Sequence, residues 1–234
     1  MNLTTKTALS AIAAAVLGTL GSPGSASAAE VSWTQWTSAV AGNNGRAFGQ
    51  MVADDGSSIS VSYSGQLAFW DAPGSNSFWQ DGGGTYTSAA VDNGPGDSGM
   101  VALSRLGTRT LTFSQSVGNV FFALIGLNAV GYEFDQDFTI ESSGPGHLGS
   151  GSFSKQITAD GKYRLTGSGE PHGVIRFVDP VTTIRWTSLA DEQWNGFTVG
   201  TYGAAPVPES STWALMGLGL FAMGCFRRRR CATA

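Results

Sequence analysis

Residues 58–64 read Ser-Ile-Ser-Val-Ser-Tyr-Ser. Ile59, Val61 and Tyr63 alternate with serines, a period of two that sets apolar side chains on one face of an extended strand and hydroxyls on the other. The same period returns where Leu111 and Phe113 alternate with Thr110, Thr112 and Ser114, and where Tyr163 and Leu165 alternate with Lys162, Arg164 and Thr166. Residues 120–127, Val-Phe-Phe-Ala-Leu-Ile-Gly-Leu, break the pattern. This continuous apolar run, bounded by Gly118-Asn119 and Asn128, predicts a strand buried on both faces.

Turn chemistry separates these segments. Asp54-Asp55-Gly56-Ser57 predicts a hairpin between residues 47–52 and 58–63, and Gly- and Asp-rich stretches at 81–84, 92–97, 142–146 and 160–161 mark further loops. No helical stripe and no internal repeat interrupts the series. The expected fold class is all-β, an antiparallel β-sandwich of jelly-roll-like kind with about a dozen short strands.

The two ends of the chain read differently. Lys6, the apolar stretch 8–20 and Ala26-Ser27-Ala28 have the order of a secretory signal peptide, so residues 1–28 are expected to be removed by signal peptidase. At the other end, Pro206-Val207-Pro208-Glu209-Ser210 precedes an apolar run that stops against Arg227, Arg228, Arg229 and Arg230. An apolar helix closed by arginines predicts a membrane segment whose basic end stays in the cytoplasm. The run 210–226 has 17 residues, about 25 Å of helix against a hydrocarbon core of roughly 30 Å, so it spans only marginally. Gly217, Gly219 and Gly224 weaken it further as a helix. Such a segment suits a transient anchor.

These residues resemble the PEP-CTERM sorting signal of Gram-negative bacteria, in which a short proline-glutamate box, an apolar helix and terminal arginines are recognised by an exosortase. Val207, Pro208 and Glu209, then Ser211-Thr-Trp-Ala-Leu215, carry the resemblance, with Ser210 standing where the second proline of the box usually sits. It implies export across the inner membrane, membrane anchorage before processing, and delivery to the cell envelope or extracellular matrix. The resulting organisation is signal peptide 1–28, exported domain 29–205, sorting signal 206–230 and cytoplasmic tail 231–234. The domain also looks like the β-sandwich bodies commonly joined to such tails, in residues 45–65, 110–117, 131–140 and 186–200.

Composition constrains the exported domain. Cys225 and Cys231 both lie outside residues 29–205, so the domain has no disulfide to lean on and must be stabilised by its core. Eight basic and 16 acidic residues give that region a net charge of −8, masked in the whole chain by the basic tail. Nucleic acid is not an expected partner, because phosphate binding needs a basic stripe.

Catalytic patterns fail on their own chemistry. Gly96-Asp97-Ser98-Gly99 looks like the loop around a protease serine, but His147 and His172 both follow it, in the wrong chain order for that family. Gly144-Pro-Gly-His-Leu-Gly149 matches a dinucleotide-binding string without the helix that would face pyrophosphate. No enzyme activity and no cofactor is expected.

Two constellations point to binding. On a strand Glu133, Asp135 and Asp137 share one face and would supply part of the six to eight oxygens calcium takes. The competing reading is a solvated face of an edge strand, whose charges resist aggregation. Trp70 and Trp79 flank one loop and would form a stacking platform for sugar rings, against the alternative of core packing for most of the tryptophans. The expected function is a non-enzymatic envelope or matrix protein and exosortase substrate, with exopolysaccharide as a partner. The alternatives are a carbohydrate- or calcium-binding adhesion module and a divergent secreted hydrolase.

Overall fold

The structure is a computed structural model that describes residues 29–75, 78–79, 83–128 and 131–203. Fifteen strands are formed among them: β1 Val31–Trp33, β2 Gln35–Val40, β3 Gly42–Val52, β4 Ser58–Leu67, β5 Phe69–Asp71, β6 Met100–Leu103, β7 Gly107–Val117, β8 Val120–Ile125, β9 Gly131–Phe134, β10 Thr139–Gly144, β11 Gly151–Ile157, β12 Tyr163–Gly169, β13 His172–Phe177, β14 Val181–Ser188 and β15 Asn195–Tyr202. A single 3-10 turn at Gly83–Tyr86 is the helical content of the described residues. None of their helices is long and apolar enough to cross a membrane. The signal-peptide and membrane-helix expectations concern residues 1–28 and 206–230, outside those described.

All pairings are antiparallel and build two sheets. One runs β11-β12-β9-β14-β7-β4-β3-β2, and the other runs β10-β13-β8-β15-β6-β5 with β1 also joined to β15. The alternating segments fall where their period requires. Ile59, Val61 and Tyr63 of β4, Leu111 and Phe113 of β7 and Leu165 of β12 all enter the core between the sheets. Their serine and threonine neighbours face outward, and the predicted 53–57 hairpin joins β3 to β4.

The core is aromatic. Trp186 of β14 in one sheet meets Phe122 of β8 and Phe197 of β15 in the other, with ring centroids 5.4 and 5.5 Å apart. Edge-to-face packing of this kind adds to the burial of area itself. The second sheet has a further cluster on its outer side, where Trp79, Tyr86 and Val91 of the long β5–β6 connection cover Met100, Phe121, Ala123 and Ile125. This cover explains β8: Val120, Phe122 and Leu124 pack inward while Phe121, Ala123 and Ile125 pack outward, and all six residues are buried.

Candidate functional site: the paired termini and the polar end of the core

The three carboxylates occupy positions other than one edge-strand face. Strand β9 ends at Phe134 and lies inside its sheet between β12 and β14, so Asp135 and Asp137 belong to the bend that follows. Each carboxylate has its own cation. Glu133 accepts from Arg164 at 2.7 Å, Asp135 from Lys162 at 2.5 Å, and Asp137 from Lys155. The cations come from β11, β12 and the turn between them, which the register brings alongside. Among the described residues no group of three or more His, Cys, Asp or Glu has the proximity to hold a metal ion.

The indoles of Trp70 and Trp79 are not brought together as a platform. Trp70 packs against the core between the sheets, whereas Trp79, 6% exposed, lies in the outer cluster with Tyr86 at 5.2 Å and donates its indole N–H to Gly99 O. Trp33, Trp36 and Trp186 are buried as well. Ser98 is buried, 1% exposed. Residues 144–149 close a tight turn, with Gly146 and Gly149 exchanging backbone hydrogen bonds of 2.7 and 3.1 Å. His172 holds that turn from beneath, its Nε2 accepting from Leu148 N–H at 3.2 Å.

The alternation hides a polar group of residues that stands in the apolar phase. Arg109 shares the inward face of β7 with Leu111 and Phe113 and is 2% exposed. It fits because Gly65 of β4 has no side chain: a Cβ there would lie 2.6 Å from Arg109 Cδ and 2.9 Å from the Tyr63 hydroxyl, at a φ of +147°. Tyr63 donates to Gln66 O at 2.5 Å, and burial pushes its phenol well above the ordinary range against the lowering field of Arg109. Across the core Tyr132 donates to Asn195 Oδ1, and Asn195 donates in turn to Glu192 Oε1.

Glu192 sits at the edge of this network, and burial pushes its carboxyl up from 4.5 to about 7, with Asn195 opposing and Glu170 reinforcing the rise. The folded chain therefore holds the proton more tightly than the unfolded chain does. The stability is present below pH about 4.5 and is lost as pH rises through about 7. The shift in pKa corresponds to roughly 3 kcal/mol, and partial exposure of the group reduces the expected loss to about 1–2 kcal/mol. Denaturant melts at pH 5.5 and 8.5 should show this fall for the wild type, and a smaller fall for Glu192→Gln. An equal fall in both proteins would remove Glu192 as its source.

The ends of the described chain converge. Strand β1 pairs with the last residues of β15 in the register Val31↔Tyr202, and Gly203 N–H donates to Glu30 O at 3.0 Å. Residues entering at 29 and leaving at 203 thus share one pole of the sandwich, three residues before the proline-glutamate segment begins. Residues 206–230 match the family described as the PEP-CTERM protein-sorting motif. This chain carries a PEP-CTERM sorting motif. No curated protein and no solved structure matches it.

The motif implies export and sorting by an exosortase to the cell surface of a Gram-negative bacterium. Val207, Pro208, Glu209 and Arg227–Arg230, the residues expected from the sequence to carry the signal, lie inside the matched segment, outside the described residues. The PEP-CTERM tail leaves from the pole that also holds the 53–57 hairpin, the Gly118-Asn119 turn and the Val178–Pro180 turn. Thr201 Oγ1 donates to Gly118 O at 3.0 Å and Asn119 N–H to Val178 O at 3.2 Å, which ties these turns to the end of β15. Asp54, Asp55, Asp135, Asp137, Asp160 and Asp179 stand on the turns of this end.

Proposed function

We propose that this chain is a non-enzymatic protein of the cell envelope or extracellular matrix, made as a precursor with a signal peptide at 1–28 and held at the inner membrane by the segment 210–226 until an exosortase releases it. The matched sorting motif at 206–230 carries the reading. The meeting of Glu30 with Gly203 supports it, since both targeting segments then tether one pole and leave the rest of the sandwich facing away from the membrane. Asp54, Asp55 and Asp179 of that pole, which lie outside the ion pairs of Asp135 and Asp137, favour release, because anionic headgroups repel them.

The outer face of the larger sheet supports a matrix role. Ser60 and Ser62 of β4 lie beside Thr112 and Ser114 of β7, and with Phe48 and Gln50 of β3 they line a shallow groove of about 380 Å³. Hydroxyls arrayed on a rigid sheet exchange hydrogen bonds with a hydrated exopolysaccharide. Consecutive strands from β6 to β11 pass alternately between the two sheets.

Intact-mass spectrometry of the surface or extracellular form tests the proposal. A mature chain starting at Ala29 and ending near the motif is expected. Dominant material that retains residues 1–20 and 215–230 would overturn it.

A further inference from the structure

The polar end of the core contains hydrogen-bond donors without acceptors. Arg109 donates through one terminal nitrogen to Thr108 O at 3.2 Å and through the other to Arg105 O. Its Nε–H has no acceptor among the described residues, and none of their carboxylates pairs with it. The indole N–H of Trp186 and the hydroxyl of Ser188 are also without partners among the described residues, at 1% and 2% exposure.

The sheet brings these three side chains together. Arg109 of β7 is the direct cross-strand partner of Trp186 on β14, and Ser188 follows two residues along the same inward face, opposite Gly107 and Tyr132. Neighbouring strands lie about 5 Å apart, and alternate residues about 7 Å apart, so the three groups are neighbours on one surface. Surrounding hydroxyls do not compensate them, since Tyr63 and Tyr132 give their hydrogens to Gln66 O and Asn195 Oδ1. Glu192 accepts from Asn195, and no ion pair among the described residues joins it to the guanidinium.

A buried guanidinium needs a counter-charge, and a buried donor needs an acceptor. Three donors and one positive charge exclude a cation. They complement a small species that only accepts hydrogen bonds and carries one negative charge. We propose that Arg109, Trp186 and Ser188 form a buried binding site for a small monovalent anion of the chloride class, which balances the charge of this end of the core.

Thermal melting of the full chain, purified in detergent, tests this in chloride against gluconate, too large to enter, at one ionic strength. Wild-type melting temperature is expected to rise with chloride in a saturable manner, as for any ligand bound by the folded state alone. Ser188→Ala should raise the half-saturating chloride concentration about tenfold, the loss of one hydrogen bond to a charged group. Arg109→Met, where it folds, should abolish the response. Equal melting in both anions overturns the proposal, as does a Ser188→Ala protein with the wild-type midpoint. Ser188→Ala decides the matter should Arg109→Met fail to fold.

Discussion

Replacing Trp186 by alanine is expected to lower stability by about 3–5 kcal/mol, the range for deleting a large aromatic from a packed core. The indole is 1% exposed and touches both sheets: Tyr63, Tyr132 and Phe134 lie within 6.0 Å on its own side, Phe122 and Phe197 across the interface. Its removal leaves a cavity that strands from two sheets cannot close without breaking their ladders. Against a total of about 5–15 kcal/mol for a domain, the loss is a large fraction of what holds the fold. A fall in melting temperature of roughly 10–15 °C should accompany it at this size. Trp194→Ala supplies the contrast: that ring is half-buried against Phe69 and Phe78 at the outer cluster, and its loss should cost well under half as much. Equal melting temperatures for the two variants would show that the core is not centred on Trp186.

Neutralising Arg227–Arg230 to glutamine is expected to abolish most delivery of the processed protein. The apolar segment 210–226 is short for a bilayer, so its position depends on what stands at its cytoplasmic end. Drawing one arginine to the bilayer centre costs about 2.5–3.5 kcal/mol, so four of them hold the segment by about 10 kcal/mol or more against slipping through. Without them the precursor should slide or be released unprocessed, which fractionation and immunoblotting would show as loss of the mature band. Mature protein in wild-type amount would mean that the arginines serve neither as a stop nor in recognition of the PEP-CTERM motif.

Arg109 shows how much of the interior could be read without coordinates. It stands two residues before Leu111, in phase with Leu111 and Phe113, so the alternation itself places a cation on the apolar face of β7. That signal was present in the sequence. What it lacked was a reason for the exception, which comes from Gly65 on the paired strand β4, 44 positions earlier in the chain. Glu192 and Asn195 gave no local sign at all, since they stand in and beside a loop and acquire their roles from Tyr132 across the core.

The carboxylates and tryptophans make the same division visible. Glu133, Asp135 and Asp137 alternate as residues of one strand would, yet the strand ends at Phe134 and each acid meets a cation delivered from β11, β12 or the turn between them. Trp70 and Trp79 are close in sequence, but the chain turns between them from the core between the sheets to the outer cluster.

The sequence by itself determined that residues 58–64, 110–114 and 162–166 are extended with one apolar face, that residues 120–125 are covered on both sides, and that the chain carries a sorting motif. All of these are properties of a few adjacent residues, because the two-residue repeat of a strand and the order of box, apolar run and arginines are local. Only the tertiary structure decided which strands are neighbours, that Glu30 meets Gly203 at one pole, and that Arg109, Trp186 and Ser188 lie side by side on one face of a sheet with donors to spare. Those outcomes depend on pairing register and on connections that change sheets, and no short stretch of chain encodes either, since each contact is chosen by the packing of the whole sandwich.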